Sequence, residues 1–362
     1  MKKIFIAATK QNDGKTTVSL GLVCNFQKAF KKVGFIKPIG QRYLEEEGNK
    51  IDEDSILIEE VCGMKDALKD MSPIAVEKGF TERYIARPQK EVISRQIKDA
   101  FRRVCKGRDM VVIEGTGHAG VGSVFDHSNA SVAKMTGSSA IIVSSGGVGR
   151  PIDEIVLNKA LFDKEGVKVI GVIINKVLPD KFDKINALVR KGLERKGIKV
   201  LGVIPFNPVL SYPSLRQIVE ETNFRLLCGS ERLASSVSRV IVGAMRPANA
   251  LKYIVDDSLL ITPGDAEEMI RAALGVYRDD DKARPRVSGV ILSGGIQPDL
   301  PVMELLSKAQ IPVLLAEADT YLVAAQIHDL TVKIRPENRA KIDTAVQMIK
   351  DYVDLDLILK GM

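Results

Sequence analysis

Ile4 to Leu20, IFIAATKQNDGKTTVSL, decides the fold of this chain. An apolar run with the composition of a buried strand enters a loop closed by Gly14-Lys15-Thr16-Thr17 and continues as a helical pattern. A strand that delivers the chain to a tight loop and a helix N-terminus concentrates backbone N–H groups and positive potential at one point, where a polyphosphate fits. In that setting Lys15 reaches the β- and γ-phosphates as a mobile point charge, and the Thr16 hydroxyl completes the coordination of a magnesium ion. Thr17 follows in the same first turn as a further nucleotide-binding candidate. Gly14 is required because a side chain there would block the approach of backbone to phosphate.

The usual spacing places a glycine five residues before Gly14, where this chain has Thr9, with the small residue Ala8 one position earlier. Outward from the loop, strand-like apolar runs recur with helical patterns between them: IFIAAT, VGFIKP, MVVIEG, SAIIVSS, VKVIGVIIN and IKVLGVIP, all before residue 206. Near-continuous apolar strands separated by helices predict an α/β fold with a doubly wound parallel sheet covered on both faces. Ligands of such sheets lie at the carboxyl ends of the strands. Lys37 ends the second run, either aimed at the same crevice as Lys15 or exposed as a surface lysine. Asp54, with Asp52 as its alternative, opens a helical pattern and serves either as a metal ligand or as a helix cap. Glu114 ends the run MVVIEG, where a buried carboxylate is costly without a metal or a donor beside it. A magnesium ligand meets that need, and Gly115 and Thr116 supply a backbone-rich turn suited to lie beside a transferred phosphate.

Composition narrows the classes. At 362 residues the chain accommodates about two domains. No run of about 18 apolar residues is present, and MKKIFIAATK is too short an apolar stretch for a signal peptide, which predicts a cytoplasmic protein without a membrane partner. Cys24, Cys62, Cys105 and Cys228 lie far apart without metal-ligand or paired spacing, as expected of core thiols in a reducing compartment. The net charge of +7 raises the question of nucleic acid, yet the basic residues alternate with acids on helical patterns and aromatics are only 5%. Nucleic acid is therefore disfavoured as a partner.

Taken together, ATKQNDGKTT, GFIKP, EDS around Asp54, VVIEGTGHAG, SGGVGRPIDE, GVIINKV and LGVIPF make residues 1 to about 215 resemble the dethiobiotin synthetase-like P-loop ATPases, in the version at the amino-terminal end of some phosphate acetyltransferases. The resemblance implies bound ATP, magnesium held by Thr16, Asp54 and Glu114, and charge neutralisation by Lys15 and Lys37. It also implies a second phosphate contact from Lys10 and adenine recognition by Asn175. Gln41, Arg42, His118 and Arg150-Pro151 depart from the biotin-forming enzyme, so the acceptor differs. Arg42 or Arg150 suits a small anionic substrate or pairs with a nearby acid, and His118, in a glycine-rich loop, is a further site candidate.

Proline and glycine spacing around 205 to 216 marks a boundary, after which RLLCGS, RVIVGAM, SLLITPG, VSGVILSGG and IPVLLAEA predict a smaller α/β domain over 216–362. It resembles the DRTGG domain, with Ala266 in place of the signature arginine and Ser293 in place of threonine. Asp265 is expected to cap the following helix, and Gly294-Gly295 to form a turn. The chain stops soon after, which disfavours acetyl transfer. The leading expectation is an ATP- and magnesium-dependent enzyme of phosphoryl transfer or ATP hydrolysis. Its rival is a regulatory nucleotide sensor that forms a homodimer on ATP binding, and a partitioning-type ATPase riding on DNA or membrane is weaker. The C-terminal AVQMIKDYVDLDLILK is mixed in charge and predicts packing rather than membrane contact.

Overall fold

The computed structural model describes residues 1–275 and 287–362. The six apolar runs before residue 206 form one parallel six-stranded sheet, in the spatial order Val200–Pro205, Val169–Val177, Ser139–Ser145, Lys2–Ala8, Met110–His118, Val33–Ile36. Phe5, Ile113, Ile142 and Ile174 are fully buried, as strands covered by helices on both faces require. The first strand lies between two strands that come later in sequence. The loop after it therefore opens at the crevice where the strand order reverses.

The loop helix, Lys15–Ala29, starts at Gly14, whose φ of 95° lies in the left-handed region. A short antiparallel ribbon, Tyr43–Glu46 with Asn49–Asp52, leads directly into the helix Glu53–Cys62. Sequence periodicity did not reveal this ribbon, because its strands are short and mostly polar, with only Ile51 and Asp52 buried.

The chain divides into two compact units, Met1–Asn207 together with Ile334–Met362, and Pro208–Lys333. A second domain running from 216 to the end is thus corrected, since the last residues rejoin the first unit. Helix Arg339–Tyr352 turns its apolar face onto the loop helix at Gly21, where a Cβ would fall 2.3 Å from Ile349 Cγ1. Asn25 Nδ2 donates to Val346 O at 3.0 Å, Val353 bridges Gly202 of the edge strand, and Lys2 Nζ donates to Leu359 O at 2.5 Å. Packing was the expected role of this segment, but an apolar helix face does not name its partner.

Unit two carries a five-stranded sheet in the order Arg225–Cys228, Val313–Leu315, Val287–Ser293, Ser258–Pro263, Arg239–Val242, parallel except for the first strand. These are the five runs expected after the boundary. Asp265 is exposed and caps no helix: Glu267–Ala273 begins two residues after it, with Ala266 at its N-cap and no side-chain cap. Gly294 and Gly295 do form a turn, with φ of 82° and 65°. Among the described residues no helix is long and apolar enough to cross a membrane.

Candidate functional site

The carboxyl ends of the first, second and third strands bring five predicted residues together. Lys15 opens the loop helix and is 9% exposed, Lys37 follows the second strand and is 7% exposed, and Glu114, inside the third, is 1% exposed. Lys37 is the hub. Its ammonium makes a short hydrogen bond to Asp54 Oδ2 and lies 2.9 Å from Asp52 Oδ1 and 3.6 Å from Glu114 Oε1. The Thr16 hydroxyl donates to the same Glu114 Oε1 at 3.1 Å.

Asp52 and Asp54 divide the roles that the sequence left open between them. Asp52 caps the helix Glu53–Cys62 by accepting from Asp54 N at 3.0 Å, and both carboxylates meet Lys37. Lys37 is therefore not a surface lysine.

The electrostatics follow from burial. Desolvation works against the Lys37 charge, but Asp54, Asp52 and Glu114 outweigh it and hold its pKa well above that of an ordinary lysine. Desolvation dominates at Lys15 and lowers its pKa, with Glu114 pulling the other way. Glu114 is pushed up to about 7, by burial first and by the neighbouring Asp54 second. The Ser19 hydroxyl is near enough to offset this in part without making a well-formed hydrogen bond, and Glu114 Oε2 has no hydrogen-bond partner among the described residues.

That bare oxygen is the test of whether a magnesium ion fits. Two carboxylates and one hydroxyl suit a hard cation that takes its remaining ligands from phosphate and water. Among the described residues no three His, Cys, Asp or Glu side chains converge into an all-protein metal cage.

The loop itself is organised by a residue that the motif does not flag. Asp13 is fully buried and accepts from Thr9 Oγ1 at 2.7 Å, from Lys10 N at 2.9 Å and from Ser145 Oγ. Its signal in the sequence was only its place just before Gly14. Asn175 also serves the loop, donating from Nδ2 to Asp13 O at 2.9 Å, and a Cβ on Gly14 would fall 2.2 Å from that nitrogen. Lys176 Nζ donates to Asn12 O at 2.7 Å, a second clamp from the same strand end.

Other candidates lie outside the cluster or are engaged elsewhere. Lys10 is not drawn in: its side chain is 46% exposed and its ammonium is 4.0 Å from Glu154. Arg150 also pairs with Glu154, at 2.5 Å. Thr17 is half-buried in the first helical turn. The Thr116 hydroxyl donates to Ile39 O, and its amide donates to Asn129 Oδ1 at 3.0 Å. Gly115 leaves no room for a side chain, because a Cβ would lie 2.6 Å from Asn129 Oδ1 and 2.7 Å from Phe5. Asn129, invisible to motif reasoning, donates in turn to Thr116 O and His118 O, both at 2.7 Å. The His118 ring is at the exposed end of its strand.

A parallel sheet, a glycine-initiated loop helix and clustered lysines at the strand ends define a P-loop ATPase-like domain, here followed by a DRTGG domain. Residues 2–214 match the AAA domain family and residues 217–330 match the DRTGG domain. The chain belongs to that AAA domain family, and the dethiobiotin synthetase-like resemblance stands. It is 28% identical to the phosphate acetyltransferase of Pseudomonas putida, covering 98% of this chain and 51% of that one. It is 26% identical to the phosphate acetyltransferase of Nitratidesulfovibrio vulgaris, covering 97% and 50%. The chain therefore spans about half the length of the curated relatives it matches. A likeness in structure extends to the MinC:MinD cell division protein complex of Aquifex aeolicus, with 17% identity, 58% of this chain and 84% of that chain covered, and a TM-score of 0.39.

Proposed function

We propose that the first unit binds ATP with magnesium and performs phosphoryl transfer to, or ATP hydrolysis coupled to, a small anionic acceptor, with the DRTGG domain as its ligand-sensing partner. The observation that carries this reading is the convergence of Lys15, Lys37, Asp54 and Glu114, all buried, with the half-buried Thr16 at the strand ends. Several buried charges in one place are expensive to keep for stability alone. A nucleotide phosphate tail with its cation matches both signs of that cluster.

The bound magnesium nucleotide supplies the transferable phosphoryl group and the cation that neutralises it. The chain's own residues do the rest. Lys15 is delivered to the mouth of the loop by the first helical turn. Lys37, held charged by its carboxylates, is the second cation available to a developing negative charge. Thr16 and Glu114, already hydrogen-bonded, present a hydroxyl and a carboxylate on one side. Asp13, Asn175 and Lys176 hold the loop backbone in shape. A rigid loop loses little entropy on closing round a phosphate chain.

The relatives' name describes chains about twice as long, and this reading concerns the half that the present sequence matches. The test is Lys15→Ala. With ~1.5–3 kcal/mol at stake for a charged hydrogen bond, ATP affinity measured by calorimetry should fall about 10- to 150-fold. Unchanged affinity overturns the assignment. ADP release that depends on one small carboxylate or amine marks the enzyme. Slow release coupled to dimerisation would instead favour a nucleotide sensor.

A further inference from the structure

The cysteines, far apart in sequence, are not all apart in space. Cys24 lies in the loop helix and Cys62 is the last residue of Glu53–Cys62, yet their sulfurs are 3.2 Å apart. Both are half-buried thiols, and Gln27 Nε2 reaches Cys62 O at 2.8 Å in an exposed hydrogen bond, so the pair borders solvent. The expectation of four unrelated core thiols is corrected for these two. The sulfur of Cys228 lies instead 3.9 Å from Ile311 O.

We propose that Cys24 and Cys62 form a reversible dithiol–disulfide site that staples the loop helix to the helix carrying Asp54. The sulfurs need to approach by only about 1 Å to reach a disulfide bond of roughly 2.0 Å, so the backbone has little distance to cover. Cys24 is the attacking group: the hydrogen bond from Cys62 lowers its pKa, and Lys28, one turn further along the helix, adds to this. The oxidant is a low-molecular-weight disulfide, with oxidised glutathione as the probe.

The Cys24 thiolate attacks one sulfur of the probe, whose S–S bond breaks and releases the first glutathione. The Cys62 sulfur then attacks Cys24 in the mixed disulfide, and the second glutathione leaves. Two protein thiols are oxidised, one glutathione disulfide is reduced, and the two thiol protons end on the two glutathiones. The bond ties the helix that begins at Lys15 to the helix that begins beside Asp52. The two helices already bring the sulfurs to 3.2 Å, so its readout is resistance to unfolding rather than a rearranged site.

The test uses the full chain, incubated with oxidised glutathione, alkylated and mapped by mass spectrometry. Of the four cysteines, two should become unavailable to alkylation, with Cys24 and Cys62 recovered in one linked peptide that dithiothreitol releases. The oxidised chain should melt at a higher temperature than the reduced one, a difference that vanishes in Cys62→Ser. The peptide map does not depend on that variant folding. Four alkylatable thiols after oxidation, glutathione retained on either cysteine, or a link involving Cys105 or Cys228 would each overturn the proposal.

Discussion

Both units present the carboxyl ends of a mostly parallel sheet with glycine-rich turns, and they differ in what they bury there. The first unit buries Asp13, Lys15, Lys37, Asp52, Asp54 and Glu114 around its loop. Among the described residues of the second unit no Asp, Glu, Lys or Arg is buried, and its strand ends carry hydroxyls: Thr262, fully buried, and Ser293, paired with Thr320 at 2.7 Å. A buried charge costs several kcal/mol unless it is paired, whereas a buried hydroxyl costs much less. The same architecture therefore supports a highly charged site in one unit and a weakly polar edge in the other.

The comparison breaks most easily at Lys37. Lys37→Met leaves Asp52, Asp54 and Glu114 facing one another in the interior, and removal of one partner from a buried ion pair costs about 3–5 kcal/mol. Urea unfolding should show a loss of that size in the first unit. A loss under about 1 kcal/mol would mean that the cluster is wetter than its burial implies.

Next in size is Ile349→Ala. Ile349 is fully buried against the loop helix, and truncation of such a side chain costs about 2–5 kcal/mol. Hydrogen exchange should quicken in Lys15–Ala29 and remain unchanged in the second unit. Equal acceleration in the two units would dissolve the division between them.

Smallest is Thr262→Val, which sharpens the contrast from the other side. Its Oγ1 is buried without a hydrogen-bond partner among the described residues, so replacement by a methyl of the same shape should leave stability within about 1 kcal/mol or raise it. A larger loss on thermal melting would show that the hydroxyl has a partner, and that this edge is more polar than it looks.

Much of the candidate cluster was legible because its members follow the strand ends. Lys15, Thr16, Lys37, Asp54 and Glu114 each stand at or just after an apolar run, and the sheet gathers those ends along one edge. Lys10 stands apart from the cluster because its place in the loop says nothing of where its side chain turns, and Glu154, from a distant helix, lies beside it. Asp13, Asn129 and Asn175 act through hydrogen bonds to loop and turn backbone. Such bonds have no periodicity to betray them.

Local order, then, was written in the amino acids themselves. The alternation of apolar runs with helical patterns, and a glycine before Lys15 that accepts a left-handed φ, require only neighbouring residues to take effect. Tertiary structure alone decided which distant groups meet: the three carboxylates on Lys37, the return of Arg339–Tyr352 to the loop helix, and the contact of Cys24 with Cys62. Those pairings depend on how helices cross the sheet, a property set by packing over the whole unit and carried by no single stretch of sequence.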